Sequence, residues 1–148
     1  MLPYRRRASP VQSYTMSATR LDGHGTRMSC KAAELVADTD PAGRADAFNP
    51  AELLLASVAA CMMKGIERVT PMLGFSLRGV TIHLTGERQD APPRMTRIDY
   101  EILVDTDETD RRLELLHQNV RKYGTISNTI ALAVPLNGTL GRSPTATG

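Results

Sequence analysis

The sequence predicts an α+β fold built on antiparallel sheet, and three observations carry that expectation. One long, nearly continuous apolar helix occupies the middle of the chain. Alternating stretches joined by turn residues stand on both sides of it, and an amphipathic helix with a short final strand closes the order β-β-α-β-β-α-β. At 148 residues the chain fits one domain with a real core, since folding at that size buries roughly 68–70% of the unfolded surface. Residues 13–140 are expected to form that domain. Residues 1–12 and 141–148 are polar, carry Pro and Gly, and are expected to be flexible tails.

Residues 13–21 read as a strand, Asp22-Gly23-His24-Gly25 as a hairpin turn, and residues 26–36 as the partner strand. Residues 38–48 hold turn formers with no apolar period and read as a loop. Asn49 then supplies an N-cap, and Pro50 suits the first helical position, where its missing N–H is harmless. The helix that follows is apolar nearly all round its first half. Gly65 weakens it, and Pro71 is expected to end it. A helix of this kind is buried on several sides, and a small domain hardly covers it, so a homodimer is expected.

Residues 75–87 alternate, with Val80, Ile82 and Leu84 facing one way and Thr81, His83 and Thr85 the other. Ala91-Pro92-Pro93 breaks the chain, and residues 95–105 alternate again, which makes a hairpin the economical reading. Residues 108–123 form a second helix with Leu113, Leu116, Val120 and Tyr123 on one stripe. Residues 125–131 add a short helical turn and 133–140 a last strand.

Composition excludes several functions. Hydrophobic residues at 41% and charged residues at 23% rule out wholesale disorder. No apolar run reaches the ~20 residues of a membrane span, and no signal-peptide core is visible, so a soluble, cytoplasmic protein with no membrane partner is expected. Eighteen basic against sixteen acidic residues leave a net charge of +2, too balanced for a nucleic-acid binder. The run Arg5-Arg6-Arg7 reads as a solvated tail, with an RNA-binding arm as the other reading. Two cysteines exclude a disulfide scaffold, and His24, His83 and His117 lack metal-ligand spacing, so neither a metal nor another cofactor is expected.

Cys61 is the leading candidate for chemistry. It lies mid-helix among Ala56, Ser57, Ala59 and Ala60, small residues that let a second helix or a small substrate come close. A free cysteine there serves equally as a small buried hydrophobe. A reactive thiolate needs a cation or hydrogen-bond donor beside it. Glu52 sits in the first turn, where the helix dipole favours a carboxylate in any case. At ~100° per residue it points about half a turn away from Cys61, so the two cannot meet within one helix. Cys30 reads either as a packing residue or as a second thiol.

The segment Asn49-Pro50-Ala51-Glu52-Leu53-Leu54-Leu55-Ala56-Ser57-Val58-Ala59-Ala60-Cys61 resembles the first motif of the OsmC/Ohr family, which leads to a reactive cysteine. Lys122-Tyr123-Gly124-Thr125-Ile126-Ser127-Asn128-Thr129 resembles its second motif, in altered form. The resemblance spans roughly residues 13–140. It implies an intertwined homodimer with long central helices between antiparallel sheets, and thiol-dependent reduction of organic hydroperoxides. Carried over by position, Cys61 is the attacking cysteine, Arg20 the cation that stabilises the thiolate, and Glu52 the acid that orients the arginine. The second cysteine of the motif is absent, and Gly124 stands in its place.

Two functions are therefore expected as alternatives. One is a one-cysteine peroxidase acting on small organic hydroperoxides and recovered by an external thiol reductant, with Leu54, Val58 and Met62 suited to an alkyl tail. The other is a non-enzymatic dimer that binds a small apolar ligand.

Overall fold

A computed structural model of the protein describes residues 11–144. Arg5, Arg6 and Arg7, and the last residues of the C-terminal tail, lie outside the described residues. The chain divides at Pro50 into two compact units. The architecture is α+β, with two three-stranded sheets and three helices among the described residues.

The first unit is an antiparallel meander of β1 (Ser17–Asp22), β2 (Gly25–Cys30) and β3 (Ala33–Asp38). The first hairpin turns through Gly23-His24 as the sequence predicts, with the His24 N–H donating to Asp22 Oδ1 at 2.8 Å. Residues 26–36, expected as a single strand, are instead two strands that reverse at Lys31-Ala32. Lys31 adopts φ +54°, a left-handed turn conformation that a lysine seldom takes, so the residue types gave no turn signal. Beyond β3 the loop is built by its own carboxylates. Asp38 Oδ1 accepts from the Asp40 N–H and its Oδ2 from the Arg44 N–H, while Asp40 Oδ1 accepts from Ala42 N–H. An Asp38 N–H to Phe48 carbonyl bond of 2.8 Å closes the loop.

The second unit holds α1 (Pro50–Leu73), β4 (Gly79–Asp90), β5 (Pro93–Asp105), α2 (Asp110–Tyr123), α3 (Thr125–Ile130) and β6 (Leu136–Arg142). β4 and β5 form the expected long hairpin around Ala91-Pro92. β6 pairs with β5 in parallel, so this sheet is mixed rather than wholly antiparallel. The final strand begins later than expected because Ala133 and Val134 N–H groups both bond back to the Ile130 carbonyl at the end of α3. It also continues to Arg142, past the point where a tail was expected.

Pro71 does not end α1. It lies in the last turn, and the helix stops at Leu73. Gly74 at φ +58° then lets the Gly74 N–H reach the Pro71 carbonyl and the Phe75 N–H reach the Thr70 carbonyl. This paired closure satisfies carbonyls that a helix end leaves free. Close by, Thr109 caps α2 by accepting from the Arg112 N–H, and the Arg112 side chain donates to the Leu73 carbonyl at 2.6 Å.

Val58, Met62, Ile66 and Val69 form the buried stripe of α1. They share one core with Ile98, Tyr100, Ile102 and Val104 of β5 and with Leu113, Leu116 and Val120 of α2. Tyr123, expected on the α2 stripe, is 52% exposed at the helix end. Gly65 brings α1 and α2 together: a Cβ placed on it would lie 3.6 Å from Val120 Cγ1. That close approach positions the site.

Candidate functional site

α1 carries Cys61 one residue before the fully buried Met62, so the core stripe fixes the rotation of the helix and with it the direction of the thiol. Cys61 itself is half-buried. Its Sγ lies 3.9 Å from the Oγ of Ser127, within hydrogen-bond range for sulfur. Ser127 is fully buried in α3. Between the two stands Gly124, the junction of α2 and α3, where a Cβ would lie 3.3 Å from Cys61 Sγ and 3.1 Å from Ser127 Oγ. The stretches 49–61 and 122–129 thus converge on one sulfur atom.

The other predicted site residues are distributed differently. Glu52 is exposed in the first turn of α1. Nine residues at 1.5 Å rise separate it from Cys61 by about 13 Å along the helix, in keeping with the expectation that the two do not meet within it. Arg20 belongs to the first unit, on β1, where every residue is exposed; its Nη2 would lie 3.8 Å from a Cβ on Gly23. Cys30 ends β2 and is half-buried. Val58 and Met62, expected to face an alkyl tail, are instead core residues with 0% exposure. Leu54 is half-buried against that core.

A polar chain lies elsewhere in the second unit. Arg121 Nη1 donates to the Leu136 carbonyl at 2.9 Å and to Tyr100 Oη at 3.1 Å. Tyr100 Oη lies 2.6 Å from His117 Nε2. The Tyr100 hydroxyl and the His117 ring are both able to donate in this contact, according to the ring tautomer. Burial, with the Arg121 charge second, holds the His117 pKa below its ordinary 6.5. In the first unit the opposite holds. His24 Nδ1 lies 2.7 Å from Asp40 Oδ2, and that hydrogen bond raises the His24 pKa above 6.5. Among the described residues no group of three or more His, Cys, Asp or Glu is arranged to hold a metal ion.

Sequence reasoning missed Ser127 and the Tyr100-His117-Arg121 chain. The signal for Ser127 was available: a small polar residue between Ile126 and Ile130, inside the second motif. The chain joins a strand to a helix 17 and 21 residues later, and no local pattern announces it.

The family model for OsmC-like protein matches residues 43–138. The chain belongs to the OsmC-like protein family. The likeness extends to solved structures. An OsmC-like protein from Mycoplasma pneumoniae superposes with a TM-score of 0.82 at 16% identity, covering 90% of this chain and 99% of that one. The organic hydroperoxide resistance protein OsmC of Legionella pneumophila gives 0.66 at 22% identity, with 90% and 100% covered. OhrB of Bacillus subtilis, an organic hydroperoxide resistance protein, gives 0.62 at 18%, with 86% and 98% covered. No curated protein matches the sequence. The OsmC-like fold is thus shared with these structures at identities of 16–22%. No helix among the described residues is long and apolar enough to cross a membrane.

Proposed function

We propose that this OsmC-like chain is a one-cysteine, thiol-dependent peroxidase acting on small organic hydroperoxides through Cys61. The observation that carries the reading is the meeting of both family motifs at one half-buried sulfur, with a buried hydroxyl beside it. The substrate class rests on the fold relatives described as organic hydroperoxide resistance proteins. In the reaction the Cys61 thiolate attacks the outer peroxide oxygen. The O–O bond breaks, the alkoxide takes a proton to leave as alcohol, and the sulfur is oxidised to a sulfenic acid. An external thiol then forms a mixed disulfide with loss of water. A second thiol releases Cys61 as a thiol and carries away the disulfide.

Arg20, by its place on the first hairpin, and Glu52, by its place in the first motif, are proposed as the thiolate-stabilising cation and the acid that orients it. A cytoplasmic homodimer is part of the same reading. Leu21, Leu35, Val36 and Phe48 are exposed apolar side chains of the first unit, and only five of the 24 residues of α1 are buried. A second copy of the chain would cover such surfaces.

Gly124 favours a second reading, a non-enzymatic dimer that binds a small apolar ligand, because Cys61 has no thiol at that position to resolve it. One experiment separates the two. Reduced protein receives a stoichiometric pulse of an organic hydroperoxide with a sulfenic-acid trap present, and its intact mass is read. The peroxidase reading expects a trapped adduct on Cys61, formed much faster than on Cys30 and lost in Cys61→Ser. An untouched Cys61 after minutes would sink it and leave the binding reading.

A further inference from the structure

We propose that the Ser127 hydroxyl is the hydrogen-bond donor that serves the Cys61 sulfur. The assignment deepens the peroxidase reading and rests on Cys61 being its nucleophile.

Four observations converge on it. Ser127 has 0% exposure, and a buried hydroxyl needs a partner. Its Oγ has Cys61 Sγ as that partner, at 3.9 Å. Other helical hydroxyls behave differently. Ser57 donates to the Leu54 carbonyl, Thr70 to Ile66 and Thr129 to Thr125, each folding back on its own helix. Ser127 reaches across to α1 instead. Finally, a Cβ at Gly124 would meet both Ser127 Oγ and Cys61 Sγ within 3.3 Å, so the hydroxyl occupies the surroundings that a side chain at 124 would share.

The consequence is directional. Between a thiol and a hydroxyl either group donates, and the bond is weak. Once the thiol ionises, sulfur only accepts, and Ser127 becomes the fixed donor to an anion. A hydrogen bond made to the charged form favours that form. After oxidation the same hydroxyl faces the sulfenic acid. Because Ser127 touches the reacting sulfur, it is a catalytic residue under the proposed reaction.

The test is the pH dependence of Cys61 alkylation by iodoacetamide in a Cys30→Ser background, which leaves one thiol to read. Ser127→Ala is expected to slow alkylation about three- to tenfold at neutral pH. At strongly alkaline pH, where the thiol is ionised regardless, its rate should rejoin that of the parent. Ser127→Thr, which keeps a hydroxyl, should stay close to the parent. Superimposable profiles for Ser127→Ala and the parent would overturn the assignment. So would a slowing that is equal at every pH, the mark of altered packing alone. Should Ser127→Ala fail to fold, Ser127→Thr and Ser127→Val, matched in shape and differing in the hydroxyl, are compared by the same criteria.

Iodoacetamide involves no peroxide, so the two readings fail separately. A shifted profile with no hydroperoxide turnover removes the peroxidase reading alone. Turnover with an unshifted profile removes the role of Ser127 alone.

Discussion

At Gly124 the missing side chain decides the chemistry open to Cys61. Its φ of −79° is ordinary for any L residue, so no backbone strain reserves the position for glycine. A Cβ there lies 3.3 Å from Cys61 Sγ, close to the roughly 3 Å that S–S bond lengths of ~2 Å imply across a disulfide. Gly124→Cys is therefore expected to form a disulfide with Cys61 on mild oxidation, after small shifts of the Ser127 hydroxyl and the Val120 carbonyl. In a Cys30→Ser background the intact mass should fall by the hydrogens lost, and the sulfenic-acid trap should no longer label Cys61. Persistently free thiols would mean that α1 and α3 do not meet as described. One residue along the helix, Met62 is a core residue with 0% exposure. Met62→Ala is expected to lower stability by about 2–5 kcal/mol in urea denaturation, through lost contacts and a residual cavity.

Among the elements, α1 meets α2 where Gly65 faces Val120. The 3.6 Å separation from Val120 is ordinary van der Waals contact for a methyl group. Gly65→Ala should accordingly be tolerated and should raise stability by up to about 1 kcal/mol through helix propensity. Gly65→Leu should lower it and disturb Cys61 reactivity, because its larger side chain pushes on the helix that leads to Gly124. Thermal melts of both variants check the contrast, and equal melting temperatures would count against it. The loop after β3 is held otherwise, by side-chain hydrogen bonds. Arg44 makes two bonds to Asp46, at 2.6 and 2.8 Å, which pull the Asp46 carboxyl down to about 2. That pin should hold well into acid, whereas the His24–Asp40 contact beside it should not outlast rising pH.

For the molecule as a whole, two histidines give opposite pH dependences. The folded value of His24 is raised, so its contribution is present below the ordinary 6.5 and is lost as pH rises through the folded value. The folded value of His117 is lowered. Its contribution is present above 6.5 and is lost as pH falls through the folded value, when the buried ring must take a proton beside Arg121. Proton NMR should therefore find His24 titrating above 6.5 and His117 below it. His117→Asn should weaken the loss of stability on the acid side, and His24→Asn the loss on the alkaline side. A reversed order of the two titrations would contradict both placements. Assembly is the other whole-molecule expectation: light scattering should return a dimer mass, and a monomer mass would remove the proposed covering of α1.

The sequence by itself determined most of the elements and the identity of the central thiol. Periodicity and turn residues placed the β4–β5 hairpin, the α2 stripe of Leu113, Leu116 and Val120, and the Gly23-His24 turn, because each depends on residues near one another in the chain. Position within two motifs singled out Cys61 and exposed the substitution at 124. Tertiary structure decided the rest. Lys31 turns left-handed without a glycine, and Pro71 stays helical because Gly74 and Phe75 close the end behind it. β6 lies parallel to β5, and Val58 and Met62 turn inward to the core rather than toward a ligand. Ser127 meets Cys61 across 66 residues of chain. Local pattern records what a segment prefers. Which sulfur faces which hydroxyl depends on how closely two helices pack where Gly65 meets Val120, two positions distant from each other in sequence.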